Sequence, residues 1–237
     1  MGRNSYFQFK QFTVHQGQCA MKVTTDACVF GALVEATRPM RVLDIGTGTG
    51  LLALMVAQRF TEAHIDAVEL DESSVLQARQ NFQASPWADR LTVHQGSIQE
   101  FSSAHPYDLV IANPPFFANQ LLSQSIEKRN AWHQTTLTSG ELAKAISVTL
   151  APQGTAWVLL PPSETQSFRE AAQAHGLYLH QIVSHQSFHD SHPHLNSIQL
   201  GKEAAEEKTL DLVYYLDQKK SLSEKLRDLL LPYYLFL

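Results

Sequence analysis

A short apolar run, Arg41 to Ile45, closes on Asp44-Ile45-Gly46-Thr47-Gly48-Thr49-Gly50, and this junction limits the fold more than any other stretch of the chain. Glycine tolerates positive φ, so three of them let a buried strand turn sharply into a helix and bring backbone N–H groups close to a ligand. The helix that follows adds partial positive charge at its N-terminus. From here on, apolar runs alternate with amphipathic stretches, the pattern of a parallel sheet covered by helices. Strands are expected at Arg41–Ile45, His64–Leu70, Leu91–Gln95, Leu109–Asn113, Thr155–Leu160 and Tyr178–Ser184, and helices at Leu51–Phe60, Ser74–Ala84, Glu141–Leu150 and Ser163–His175. The centre of the chain therefore reads as a doubly wound α/β unit.

The flanks are weaker signals. Phe7–Val14 reads as a short strand, and Thr25 or Asp26 can cap a helix running to about Ala36. Thr209–Leu216 alternates weakly like a strand. Ser221 with Glu224 forms a capping-box pattern before an apolar helix toward Leu230, which Pro232 should stop. There are no internal repeats; only His185–His194 is compositionally odd.

A chain of 237 residues that is 44% hydrophobic suits one catalytic domain with extensions. Its formal charge of −5 means that a nucleic-acid partner would have to be held by a local basic patch. Cys19 and Cys28 form no C-x-x-C pair and read as reduced thiols in a core. No secretory signal opens the sequence and no window approaches the ~20 apolar residues of a membrane span, so a soluble, cytoplasmic protein is expected.

The glycine spacing is G-x-G-x-G, whereas a dinucleotide fingerprint has G-x-G-x-x-G with a pyrophosphate at the helix end. This favours S-adenosylmethionine over NAD. At the end of the second strand, Glu69 can accept hydrogen bonds from both ribose hydroxyls, with Asp71 as the alternative if the register differs. Ser97, after the third strand, either accepts a hydrogen bond from the adenine amine or is a simple turn serine.

Asn113-Pro114-Pro115-Phe116, at the end of the apolar run Leu109-Val110-Ile111-Ala112, suggests the methyl acceptor. The lone pair of an aryl amine is delocalised into its ring. A catalyst must favour the geometry in which the nitrogen becomes tetrahedral, and two acceptors can do that. The Asn113 side-chain oxygen and the Pro114 carbonyl can each accept one N–H, while Pro114 and Pro115 stiffen the loop. Phe116 can stack on the base, a contact worth about 1–3 kcal/mol that does not discriminate between rings.

Taken with Phe9-Lys10-Gln11-Phe12, Cys19-Ala20-Met21-Lys22-Val23, Leu43 to Leu51, Asp66-Ala67-Val68-Glu69, Ser85-Pro86-Trp87 and the terminal Tyr234-Leu235-Phe236-Leu237, the acceptor motif resembles the bacterial tRNA1(Val) (adenine(37)-N6)-methyltransferase family. The resemblance spans most of the chain. It implies a Rossmann-like class I fold with a mostly parallel seven-stranded sheet, helices on both faces and a short N-terminal extension. Residues 1–37 would close over the donor site and residues 38–237 would form the catalytic domain. It also implies S-adenosylmethionine as cofactor and tRNA as partner, with Lys22, Thr25, Asp44, Gly46, Gly48, Gly50, Glu69, Ser97 and Asn113 on the donor. Asn113 and Pro114 would hold the amine and Phe116 would stack. Lys22, Thr25 and Asp26 match the family's segment that closes over the donor's methionine end; for Thr25 and Asp26, plain helix capping is the alternative.

The chain departs from that pattern at three places. Thr24 stands where the family has glycine, which costs backbone freedom if the position needs positive φ. Trp132 replaces an arginine after Lys128 and Arg129. Leu195, Asn196 and Ser197 stand where a basic residue is usual.

The long stretch Phe117–Leu137 follows the acceptor motif directly, as functional loops do. Lys128 and Arg129 can meet phosphates and Trp132 can stack on a neighbouring nucleotide; a solvated charged pair with an anchoring tryptophan is the alternative. His185, His189, His192 and His194 fit no common zinc spacing, so no metal is expected and a solvated loop is the leading reading. Other planar nitrogens share the acceptor geometry: a protein glutamine, a guanine amine in ribosomal RNA, or adenine in DNA. A non-catalytic RNA-binding module is the reading from a different class.

Overall fold

The structure, a computed structural model, describes residues 4–19, 21–114 and 137–236. It opens with a hairpin of β1 (Tyr6–Gln8) and β2 (Thr13–His15), so the expected single strand over Phe7–Val14 is two short ones folded on each other. There follow α1 (Thr25–Leu33), β3 (Arg41–Ile45), α2 (Leu51–Arg59), β4 (His64–Glu69), α3 (Glu72–Gln83), β5 (Leu91–Gln95) and β6 (Tyr107–Ala112). After the acceptor motif come α4 (Ser139–Thr149), β7 (Leu150–Leu160), α5 (Pro162–Ala174), β8 (Tyr178–Gln186), β9 (Leu195–Gly201), β10 (Lys208–Val213) and α6 (Glu224–Leu230).

The main sheet runs β10-β8-β9-β7-β6-β3-β4-β5. It is parallel except for β9, which is antiparallel to both its neighbours. Among the described residues, eight strands stand in this sheet where seven were expected, because β9 gave no strand signal in the sequence. Its Asn196 and Ser197 are buried polar residues, and only cross-strand pairing on both sides makes that stretch a strand. The expected strand over Thr209–Leu216 is present as β10, Lys208–Val213, at one edge of the sheet and parallel to β8. β7 begins five residues before the expected Thr155, with its register shifted against β6 around Pro152 to Gly154.

Both faces of the sheet carry an apolar cluster. Phe30 of α1, Leu54 and Met55 of α2, Ala78 of α3 and Leu226 of α6 pack on one, and Ile146 of α4 and Phe168 of α5 on the other. α1 is thus seated in the domain's own core, and the Trp157 indole N–H donates to the Glu35 carbonyl at 2.9 Å to fix its far end. Its cap is neither Thr25 nor Asp26 but Thr24, whose hydroxyl accepts from the Ala27 N–H at 3.1 Å. Thr24 has φ −120°, so no positive φ is needed there and threonine bears no backbone penalty. In the last helix Ser223, not Ser221, is the cap; Ser221 donates to Asp217 instead.

Three segments that carry the resemblance outside the site motifs meet in one place. Phe9 stacks on Phe12 with centroids 4.5 Å apart, Phe12 meets Trp87 edge-on at 5.6 Å, and Tyr234 lies 5.9 Å from Phe9. The Lys10 N–H donates to the Tyr233 carbonyl at 2.8 Å, so the two ends of the chain are clasped together.

Candidate active site

The glycine turn lies at the carboxyl end of β3. Gly46, Gly48 and Gly50 have φ of 70°, 55° and 82°, the left-handed region in which a side chain is strained. They do different work. A Cβ on Gly46 or Gly48 would meet nothing within 4 Å, so both face open space that a ligand can enter. A Cβ on Gly50 would lie 2.5 Å from the Phe82 ring, so that glycine admits α3 against the turn.

Below the turn Asp44 is fully buried. The Thr47 hydroxyl donates to its Oδ2 at 2.6 Å, while Oδ1 has no hydrogen-bond partner among the described residues. Burial pushes this carboxyl up to about 7, with the nearby Glu69 charge acting the same way and the Thr47 and Ala53 hydrogen bonds opposing. An orphaned buried carboxylate oxygen under an open glycine turn fits a ligand carrying a cationic or donor group.

Glu69 ends β4 as expected. Its Oε2 accepts the Gly48 N–H and its Oε1 the Asp71 N–H, each at 2.9 Å, so it braces the turn while each oxygen retains a further lone pair. Asp71 is used elsewhere: it caps α3 through the Ser74 N–H at 2.8 Å. Ser97 follows β5 with its hydroxyl donating to Gln99 within its own turn, which is the turn-serine geometry. It lines a cavity of about 570 Å³ that runs down the sheet face past Phe101 to Asp66, His94 and Tyr107.

The N-terminal segment lies along α3, with the Gln18 N–H donating to Gln77 and the Gln18 carbonyl accepting from Ser73. The Lys22 ammonium donates to the Gln16 and Cys19 carbonyls and so staples the segment to itself. Thr25 is an exposed residue in the first turn of α1. Asn81, which carried no sequence signal, ties the segment to the glycine turn. Its Oδ1 accepts the His15 N–H at 2.9 Å, and its amide donates to the His15 and Thr49 carbonyls at 2.8 Å each.

Asn113 and Pro114 follow β6 directly and are half-buried. β6 is the neighbour of β3, with Ala112 opposite Ile45. The glycine turn and the acceptor motif therefore leave adjacent strands, about 5 Å apart, on the same edge of the sheet. Phe116, Lys128, Arg129 and Trp132 lie outside the described residues.

The histidine stretch is not a solvated loop throughout. His189 and His192 are exposed, but His185 is fully buried, with Nδ1 2.7 Å from the Tyr214 hydroxyl and Nε2 2.7 Å from the Ser197 hydroxyl. His194 Nε2 lies 3.0 Å from Asp26 Oδ1, an oxygen that also accepts the Tyr214 O–H at 2.9 Å. No periodicity could have announced contacts between residues this far apart in sequence. Among the described residues no group of His, Cys, Asp or Glu side chains could hold a metal ion, and no helix is long and apolar enough to cross a membrane.

A doubly wound sheet with an open glycine turn and an Asn-Pro motif on adjacent strand ends defines a Rossmann-like methyltransferase. A family model for the methyltransferase small domain matches residues 22–142. The tRNA1(Val) (adenine(37)-N6)-methyltransferase of Dyadobacter fermentans is 52% identical over 172 residues, covering 73% of this chain and 72% of its own. That of Pectobacterium carotovorum is 38% identical over 99% of this chain and 96% of its own. The chain belongs to the tRNA1(Val) (adenine(37)-N6)-methyltransferase family. Among solved structures, a predicted O-methyltransferase of Agrobacterium tumefaciens superposes with a TM-score of 0.65 at 15% identity, over 86% of this chain and 94% of its own. The glycopeptide N-methyltransferase MtfA, complexed with S-adenosylmethionine, does so at 0.52 and 13%, over 76% and 93%. Likeness at that identity speaks for the fold alone.

Proposed function

We propose that this protein methylates the exocyclic N6 amine of adenine 37 in tRNA1(Val), using S-adenosylmethionine. The observation that carries this reading is the register Ile45 opposite Ala112, which sets donor turn and acceptor motif side by side. When bound, S-adenosylmethionine supplies an electrophilic methyl group on a sulfonium.

The chain's own residues do the rest. Gly46 and Gly48 leave room for the donor, with Gly50 shaping the turn, and Glu69 keeps lone pairs for ribose hydroxyls. Asp44 meets the donor's ammonium end, and Lys22, Thr25 and Ser97 complete that site, with Asn113 touching both substrates. The Asn113 amide oxygen and the Pro114 carbonyl each accept one N–H of the adenine amine, aiming its lone pair at the methyl carbon. The proton is lost after transfer, so no strong base is required. Phe116 stacks on the base and Lys128, Arg129 and Trp132 meet the RNA. Residues 1–37 act as an extension over the donor.

The test is incubation with labelled S-adenosylmethionine and total tRNA, followed by mapping of the modified nucleoside by mass spectrometry. The expected result is N6-methyladenosine 3′ of the anticodon in a valine tRNA. Label in protein, ribosomal RNA or DNA instead would move the acceptor to another planar nitrogen.

A further inference from the structure

The Asp26 cluster lies outside the glycine turn and the acceptor motif, yet it reaches the same edge of the sheet. α1 and α2 run side by side in the same direction: Arg59, at the end of α2, donates to the Ala32 and Val34 carbonyls at the end of α1, and Gly31 faces Met55 and Leu52. The start of α1, with Asp26, therefore lies beside the start of α2 and the glycine turn. β9 begins at that edge too, with Asn196 opposite Leu160, and β7 is the neighbour of β6. His194 thus precedes a strand two spacings, about 10 Å, from the strand that delivers Asn113.

The direction of each hydrogen bond follows from chemistry. A carboxylate only accepts, so the Tyr214 O–H donates to Asp26. The Tyr214 oxygen must then accept from His185, which fixes the proton on Nδ1 and leaves Nε2 to accept the Ser197 O–H. Burial lowers His185 to about 4, so the ring is neutral near pH 7. Ser197, His185 and Tyr214 thus form a one-way chain of donors ending on Asp26, where His194 adds a second donor from the exposed side. Burial pushes the Asp26 carboxyl up, but the His194 and Tyr214 hydrogen bonds outweigh it and hold the group below its usual range. The result is an anion fixed between α1, the turn before β9 and the core.

We propose that Asp26 is a positioning residue for the nucleotide acceptor: held by His194 and Tyr214, it locks the start of α1 to the turn before β9 and makes them one wall of the acceptor site. This rests on the methyl transfer to tRNA proposed above. A wall of this kind acts on how the extruded nucleotide is seated, whereas the glycine turn and Glu69, which carry most of the donor site, belong to β3 and β4 and are not held by Asp26.

The test uses the full chain, a valine tRNA transcript and labelled S-adenosylmethionine. Asp26→Asn keeps the shape and one acceptor but removes the charge; it should raise KM for tRNA about tenfold and lower kcat several-fold, with Kd for the donor by calorimetry within about twofold. His194→Gln, at the exposed end, should shift KM in the same direction, and the double variant should be no worse than Asp26→Asn, because the two act as a unit. Should Asp26→Asn fail to fold, His194→Gln carries the same test. Unchanged kinetics for tRNA, or a loss of donor affinity as large as the loss for tRNA, would overturn the assignment. A wild-type chain that methylates no tRNA sinks the proposed function instead; an active wild type with an indifferent Asp26→Asn sinks only this inference.

Discussion

The turn after β3 and the turn before β9 share one edge of the sheet but are built in opposite ways. The first is local: three glycines at positive φ, with Thr47 donating to Asp44 three residues away and Gly50 donating to the Thr47 carbonyl. The second is held by side chains distant in sequence, His194 to Asp26 and Tyr214 to Asp26, and by a histidine ring buried between two hydroxyls. A backbone-built turn closes on its own N–H groups and leaves the space over Gly46 and Gly48 to a ligand. A side-chain-built turn spends its polar groups on fixing one element against another, and so acts as a wall.

That contrast can be broken or sharpened by substitution. The largest effect should come from Asn113→Ala: kcat falls about 10²-fold or more, as for loss of a donor or acceptor aimed at the reacting centre, with donor Kd within about twofold. Steady-state kinetics with calorimetry decides, and unchanged turnover would remove the acceptor geometry. Next, Gly50→Ala should lose about 2–4 kcal/mol of stability through strain and the clash with Phe82, whereas Gly48→Ala should lose about 1 kcal/mol, from backbone strain alone. Denaturant titration separates them, and equal losses would mean that the two glycines do not divide packing from ligand access.

Glu69→Ala should weaken donor affinity about tenfold, since it removes an acceptor for the donor and the brace on the Gly48 N–H together. Calorimetry showing no change would remove Glu69 from the donor site. The smallest effect concerns pH. The folded Asp44 keeps its proton up to about 7, above the unfolded value of about 4, so the folded chain binds the extra proton between them. The stability it contributes is full below about pH 4 and is lost as pH rises through about 7. Relative to wild type, the Tm of Asp44→Asn should therefore rise by about 2–4 °C between about pH 6 and about pH 7. Parallel pH curves for the two proteins would show that Asp44 ionises normally.

The strands that deliver the site were legible because each is a continuous apolar run ending at a recognisable turn: β3 matches its expected bounds, and β4 and β5 differ by a residue at most. Helix starts were less so. Thr24, Thr25 and Asp26 are all good caps, and only backbone geometry selects Thr24. β9 was invisible because Leu195-Asn196-Ser197-Ile198-Gln199-Leu200 alternates poorly and places two polar side chains inside. Asn196 is accommodated by the Thr165 hydroxyl at 3.0 Å and Ser197 by His185, both on other elements. Asn81 was missed for the same reason, since its three hydrogen bonds reach His15 and Thr49.

The sequence by itself determined what depends on neighbours along the chain: the alternating strands and helices, the glycine turn, the acceptor motif and the family. Tertiary structure alone decided which buried polar groups find partners. It sent Glu69 to the turn and Asp71 to a helix cap, placed β9 between β7 and β8, and drew Asp26, His185, His194, Ser197 and Tyr214 into one network. Local preference is written in spacing, whereas a hydrogen bond between residues 168 apart exists only after the sheet has brought them together.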